Sequence, residues 1–358
     1  MRRNAPVTAV ALAAALITSV VTGSSAARHV TPEARFGAIA RAQVWIPTRV
    51  ALMDMKAGPG GADGFAIGQS VTCRFVDRKM SGASPKFTCA LEPDDEVKVK
   101  YGRANGEVFA EVAASRLLWA LGFPTDRVYP VRVTCIGCPS DPANRRDDRR
   151  DRVVFDPAAI ERKVPGQTIE TTPDSGWSWP DLDLIDEASG GAPRAHRDAL
   201  KLLAVMLQHT DSKPAQQRLI CVSDQSEDAS EPCLRPVMMV SDLGLTFGHA
   251  NVFNRNGIAS ANLAEWAAAD IWLDPARCIG SLARSHTGTL DNPSIKEAGR
   301  KFLADLLVQL SDAQLRDLFE VSRFPERLQG GKGGSEVRDW VAAFKNKRDR
   351  IVNHSCPR

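Results

Sequence analysis

The chain has 358 residues, 43 % of them apolar and 25 % charged, with a net charge of +3. That length supports two lobes with substantial cores. The small net charge and only two tyrosines argue against a dedicated nucleic-acid binder, which carries a basic stripe interleaved with aromatic stacking residues.

Arg2 and Arg3 precede an apolar segment from Val7 to Val21, and Ser24-Ser25-Ala26 offers a small-residue cleavage site. Residues 1–26 therefore read as a secretory signal peptide rather than a mature membrane span. No later segment is apolar enough to cross a bilayer. Eight cysteines follow, an even number that favours disulfides behind an export signal and an exported, periplasmic or extracellular protein. Spacing suggests local pairs, Cys73 with Cys89 and Cys221 with Cys233, leaving Cys278 for Cys356; sequence leaves the connectivity open. Cys135 and Cys138 form a C-x-x-C that lies at the exit of a strand, not at a helix start where a thiolate is stabilised. It reads as a structural disulfide, with a redox pair as the alternative. The six scattered histidines show no zinc spacing.

Residues 27–50 read as a linker and a first helix ending near Pro47. An apolar run then leads into Gly58, Gly60, Gly61 and Gly64 and on to a β-prone run through Cys73 and Val76. Such a strand, glycine bend and strand can lay backbone N–H groups over phosphates, although no P-loop pattern is present. Lys86 to Leu91 is a further strand. In Glu96-Val97-Lys98-Val99-Lys100-Tyr101-Gly102 the period of two places Lys98 and Lys100 together on one face. Glu107 to Phe123 reads as an amphipathic helix with Gly122 as its C-cap and Pro124 as its stop. Glu111 falls among the core-facing positions, where a carboxylate needs a cation; a lysine of the preceding strand is the obvious one. Glu107, nearer the helix start, reads as complementing the dipole.

Val128 to Val133 is expected to be a strand that runs into the C-x-x-C turn, followed by an exposed loop containing RRDDRRDR. Val153–Phe155 and Ala159–Lys163 look like two paired strands, and a looser stretch with Trp177 and Trp179 crosses between lobes. Leu200, Leu203, Ala204 and Leu207 mark a helix that breaks into His209-Thr210-Asp211-Ser212-Lys213-Pro214. Two β-prone runs, Leu219 to Val222 and Pro236 to Val240, form a hairpin ending in Ser241-Asp242-Leu243-Gly244. A hairpin returns its ends to one rim, so Asp211 and Asp242 are expected to meet, with Gly244 allowing the sharp turn. One carboxylate can orient an attacking hydroxyl while the other holds a divalent metal on a triphosphate. Helices are predicted over Leu263–Ile271, Ser294–Leu310, from Ser311 through Phe319, and over Glu336–Val352, with Gly330 to Gly334 as a connector. There is no internal repeat.

Three stretches, AEVAASRLLWALGF around Glu111, HTDSKPAQQ around Asp211, and SDLGLTFG around Asp242, together with the VKVKYG strand, resemble the atypical protein-kinase-like fold. The likeness is to secretory-pathway kinases of the Golgi casein-kinase type, and more distantly to HipA-type and phosphatidylinositol kinases. It covers a little under half of the chain. The resemblance implies an α+β, two-lobed fold: a β-rich N-lobe with one main helix over 27–165 and a mostly helical C-lobe over 166–358. It implies ATP with Mg²⁺ or Mn²⁺ as cofactors. Lys100, or its neighbour Lys98, would hold the phosphates, Glu111 would pair with that lysine or help hold metal, Asp211 would be catalytic, and Asp242 would be the principal metal ligand. The family's second metal ligand is usually Asn, His or an acidic residue, and Gln216 or Gln217 stands near that place here. The expected function is an exported ATP-dependent phosphotransferase acting on a protein or small-molecule acceptor, with adenylate transfer as a close variant. Two alternatives are a non-catalytic binding module held by disulfides and a thiol–disulfide protein using Cys135 and Cys138.

Overall fold

A computed structural model describes residues 27–357 apart from 83, 145–147, 174, 223–231, 249–258, 283–287 and 330. The expected signal peptide lies outside the described residues. The chain is α+β, β-rich in its first half and mostly helical in its second.

The first half is organised as a closed barrel of five strands, β2 (Ser70–Val76), β3 (Lys86–Glu92), β4 (Asp95–Tyr101), β5 (Arg127–Pro139) and β6 (Arg149–Arg162), in the order β2-β3-β4-β6-β5. Neighbours are antiparallel except β2 and β5, whose parallel pairing closes the barrel with Cys73 opposite Cys135. Alternation along each strand sends Val71, Phe87, Val97, Val99, Tyr129, Val131 and Ile160 into the interior. Cys73–Cys89 and Cys135–Cys138 are both disulfides in that interior, with the Cys89 and Cys135 sulfurs 3.8 Å apart. The C-x-x-C thus lies within β5 rather than in a turn beyond it. Val153–Phe155 and Ala159–Arg162 are also one strand, β6, because both segments find partners along the long β5.

The helix that packs on the barrel, α2 (Glu107–Leu121), lies against β4, β5 and β6 on one side and against α6 (Asp312–Val321) on the other. The expected wet face is therefore absent: every residue but Trp119 is buried. Arg116 is accommodated because its guanidinium donates to the carbonyls of Met55 (3.2 Å) and Val128 (2.9 Å). Gly122 ends the helix at φ +86, and a Cβ there would fall 2.2 Å from the Ile46 carbonyl oxygen. Conformation and space both require glycine at that position.

The earlier segment differs from expectation. β1 (Ala27–His29) and α1 (Pro32–Ala40) precede the barrel, and α1 stops well before Pro47. The apolar run that leads into the glycine bend is a short 3-10 turn, Val50–Leu52, and not a strand. Gly58 lies against the Arg116 guanidinium and Gly61 against that of Arg127, so these glycines admit arginine side chains rather than a ligand.

β1 joins β7 (Gln167–Glu170), β8 (Gln217–Cys221) and β9 (Pro236–Val240) in a four-stranded sheet. The predicted hairpin is β8–β9, antiparallel with Gln217 opposite Val240 and tied by the Cys221–Cys233 disulfide. α3 (Arg194–Leu207) packs on α5 (Glu297–Leu307), which meets α7 (Val337–Val352). α4 (Leu263–Ala268) completes the set, and β10 (Trp272–Asp274) with β11 (Ile279–Gly280) forms a two-stranded ribbon. Ser311 caps α6 with Gln314 in a capping box. Phe247, Trp266, Phe319, Phe324 and Trp340 form one aromatic cluster here, and Cys278–Cys356 ties the chain's end to the turn of the β10–β11 ribbon. No helix among the described residues is long and apolar enough to cross a membrane.

Candidate active site

The barrel, α2 and the end of the β8–β9 hairpin converge on one lysine. Lys100 is 1 % exposed. Its Nζ stands 2.8 Å from Glu107 Oε2, 2.9 Å from Glu111 Oε2 and 2.8 Å from Asp242 Oδ1. Two of its N–H donors thus bond Glu107 and Asp242, and Glu111 completes a ring of three carboxylates from two separate elements. Burial alone would lower its pKa; Asp242, Glu107 and Glu111 instead hold it well above the ordinary lysine value.

Lys98 shares the face of Lys100, as the strand period requires, but sits one repeat further along β4. There it lies opposite Glu161 of β6 and pairs with that carboxylate. Lys163 bonds Glu161 at 2.9 Å and lies 3.4 Å from Asp126, which Arg218 of β8 also meets at 2.5 Å. Charges of alternating sign thus run from the barrel to the hairpin. The structure brings Lys100, not Lys98, to Glu111.

Glu107 does more than complement the helix dipole: it is buried, meets Lys100 and accepts a 2.9 Å hydrogen bond from Ser84 Oγ. Asn105 fixes this first turn, accepting from the Glu107 backbone N–H at 3.2 Å while its amide donates to the carbonyls of Pro85 and Tyr101. The spacing of Glu107 and Glu111 by four residues was a usable sequence signal, since such residues share a helix face. Glu161 had none, because its partner lies across a sheet and 63 positions away (161 − 98).

Asp242 follows β9 at φ +49, so the left-handed residue of this turn is the aspartate itself. An aspartate tolerates that conformation better than most side chains, at a cost of about 1 kcal/mol. Gly244 serves a different need: a Cβ there would fall 2.8 Å from Glu107 Cγ. The turn can therefore press against α2 and deliver Asp242 to Lys100. Burial by itself would raise the Asp242 carboxyl, but Lys100 and then Lys98 hold it well below the usual range. Its side chain is 28 % exposed, which leaves one side open to a ligand.

Asp211 and Asp242 meet through Gln216, as the hairpin geometry predicts. Gln216 Nε2 donates to Asp211 Oδ2 at 2.7 Å and to Asp242 Oδ2 at 3.0 Å, while its Oε1 is buried with no partner among the described residues. Gln217, next along β8, points elsewhere, and its amide has no partner among the described residues. Lys213 Nζ lies 3.4 Å from Asp211 Oδ1. Ser212 anchors the loop: its Oγ accepts from the backbone N–H groups of Thr289 and Leu290, both at 3.2 Å. Beneath it His209 borders a small apolar cavity lined also by Leu118, Trp179, Leu200 and Leu243. Burial pushes its imidazole down to about 4, against the pull of Asp211 and Asp242, so it is neutral at physiological pH.

Burial raises the Glu111 carboxyl to about 7, even though Lys100 and Lys98 act to lower it. The remaining groupings of ligand-type side chains, Cys73, Cys89 and Cys135 in the barrel and Cys278, His354 and Cys356 at the chain's end, consist of half-cystines apart from the histidine.

No family model matches the chain, and no curated protein does. Among solved structures it is similar to a Helicobacter pylori proinflammatory kinase, CtkA, at TM-score 0.42 and 11 % identity, over 80 % of this chain and 96 % of that one. A likeness of this degree concerns the course of the backbone; the chemistry of the site is a matter for its side chains.

Proposed function

We propose that this protein is an exported phosphotransferase of kinase-like fold that moves the terminal phosphate of ATP to a hydroxyl acceptor with a divalent metal. The observation that supports this reading is the convergence of Lys100, Glu107 and Glu111 with Asp242, Gln216 and Asp211. Three distant parts of the chain there supply a cation, a metal-type donor set and a second carboxylate within one cluster.

The donors suit Mg²⁺ or Mn²⁺. Asp242 offers carboxylate oxygens on an open side, and the orphaned Gln216 Oε1 is a hard neutral oxygen. Asp242 and Gln216 would hold the metal, which when bound neutralises charge on the phosphates. Asp211 would accept the proton of the attacking hydroxyl. The hydroxyl oxygen forms the new bond to phosphorus as the bond to the bridging oxygen breaks, and ADP departs. Lys213, beside Asp211 and 40 % exposed, is free to swing toward the transferring group. Glu107 and Glu111 keep Lys100 in register with Asp242. Four disulfides suit an oxidising compartment outside the cytosol.

The test is a thermal shift of the mature, oxidised protein with ATP, with and without Mg²⁺ or Mn²⁺. At a hundredfold excess over its dissociation constant, the ligand stabilises by about 2.7 kcal/mol. The shift should require metal and vanish in Asp242→Ala, together with turnover. A metal-dependent shift and turnover that survive in Asp242→Ala would refute the assignment, and binding without any turnover would replace it with a non-catalytic nucleotide-binding module.

A further inference from the structure

We infer that Lys86, rather than Lys100, is the side chain that receives the phosphate chain of the incoming nucleotide. The inference rests on the phosphotransferase reading and assigns a residue that the sequence patterns did not single out. Its starting point is the crowding of Lys100 by carboxylates. Its ammonium donates to Glu107 and Asp242 at 2.8 Å, Glu111 stands 2.9 Å away as a third ion-pair partner, and the side chain is buried. A phosphate reaching Lys100 must first evict a carboxylate and leave it with no counter-charge in a buried setting, which is costly.

Lys86 stands directly across from Lys100 in the β3–β4 pairing, so the two side chains share a face. It is half-buried, and no carboxylate bonds it among the described residues. The charged groups that act on it are Lys100 and Lys98, which repel its charge, and Asp242 and Glu107, which favour it. Burial first, and Lys100 next, lower its pKa, as expected for a cation lacking a dedicated partner. The turn between β2 and β3 closes over it. Gly82, at φ +85, brings its backbone so near that a Cβ would fall 2.8 Å from Lys86 Nζ. Two residues on, Ser84 bonds Glu107 and pins the turn to α2. A partly desolvated ammonium under a glycine turn, beside the proposed metal ligand Asp242, is suited to a polyphosphate, whose anionic oxygens supply the acceptors it lacks.

The test compares ATP and adenosine binding to the full, oxidised protein by calorimetry in the presence of Mg²⁺. In Lys86→Met the dissociation constant for ATP should rise at least tenfold while that for adenosine stays unchanged; Lys86→Arg should recover part of the loss. The unliganded melting temperature of Lys86→Met should equal or exceed that of the wild type, since a like charge has been removed from beside Lys100. Lys100→Met, which strands three carboxylates, should lower it. Wild-type ATP affinity in Lys86→Met, or an equal loss for adenosine, would overturn the inference. A wild-type protein that binds no ATP would remove the phosphotransferase reading and this one with it.

Discussion

Replacing Glu111 by glutamine should stabilise the protein at pH 8, although it deletes one of the ion-pair partners of Lys100. The reason lies in the burial of the carboxylate. Glu111 binds its proton with a pKa of about 7 in the folded chain, against an ordinary value of 4.5. A carboxyl whose pKa is raised by folding contributes its full stability below the unfolded value and loses it as pH rises through the folded one. At about 1.4 kcal/mol for each pH unit between the two values, the loss between pH 4.5 and 7 is about 3 kcal/mol. Glutamine keeps an oxygen for Lys100 Nζ, does not ionise, and leaves Glu107 and Asp242 to balance the lysine. Urea unfolding of wild type and Glu111→Gln from pH 5 to pH 8 should therefore show near-equal stability at the acid end. The two should separate in favour of the variant, by up to about 3 kcal/mol, at the alkaline end. A variant that is the less stable at pH 8, or that keeps the wild-type slope, would show that the ion pair with Lys100 outweighs the desolvation of Glu111.

Asp211→Asn should leave metal-dependent nucleotide binding in place, because Gln216 and Asp242 remain, and should lower turnover by about 10²-fold or more in a steady-state assay. Gly244→Ala forces a methyl group into Glu107 Cγ; it should cost about 1–3 kcal/mol in chemical denaturation and weaken ATP binding as Glu107 is pushed from Lys100. Replacing Cys278 and Cys356 together by alanine opens a loop with a sequence separation of 78. The chain-entropy argument puts the loss at about 4 kcal/mol, read as a lower urea midpoint with unchanged nucleotide affinity in the folded protein.

Sequence by itself determined those features whose cause is local. The period of two in β4, the breaks after α3 and α2, the capping box at Ser311 and the β8–β9 hairpin all follow from neighbouring residues. The hairpin in turn carries Asp211 and Asp242 to one rim, since its geometry fixes where its ends go. The pairings of Cys73 with Cys89 and Cys221 with Cys233 are likewise short-range. Tertiary structure decided what depends on partners far along the chain. Lys98 and Lys100 are equivalent by periodicity, and only Glu161 across β6 and α2 across the barrel end distinguish them. α2 reads as amphipathic because its composition is mixed, yet barrel and α6 cover it on both sides, so Glu107 becomes a buried partner of Lys100. The parallel closure of β2 on β5 and the unbroken course of β6 are set by strand pairing, which no local pattern encodes. Register and burial are collective properties of the packed chain, and they turn a row of ionisable residues into one buried charge cluster around Lys100.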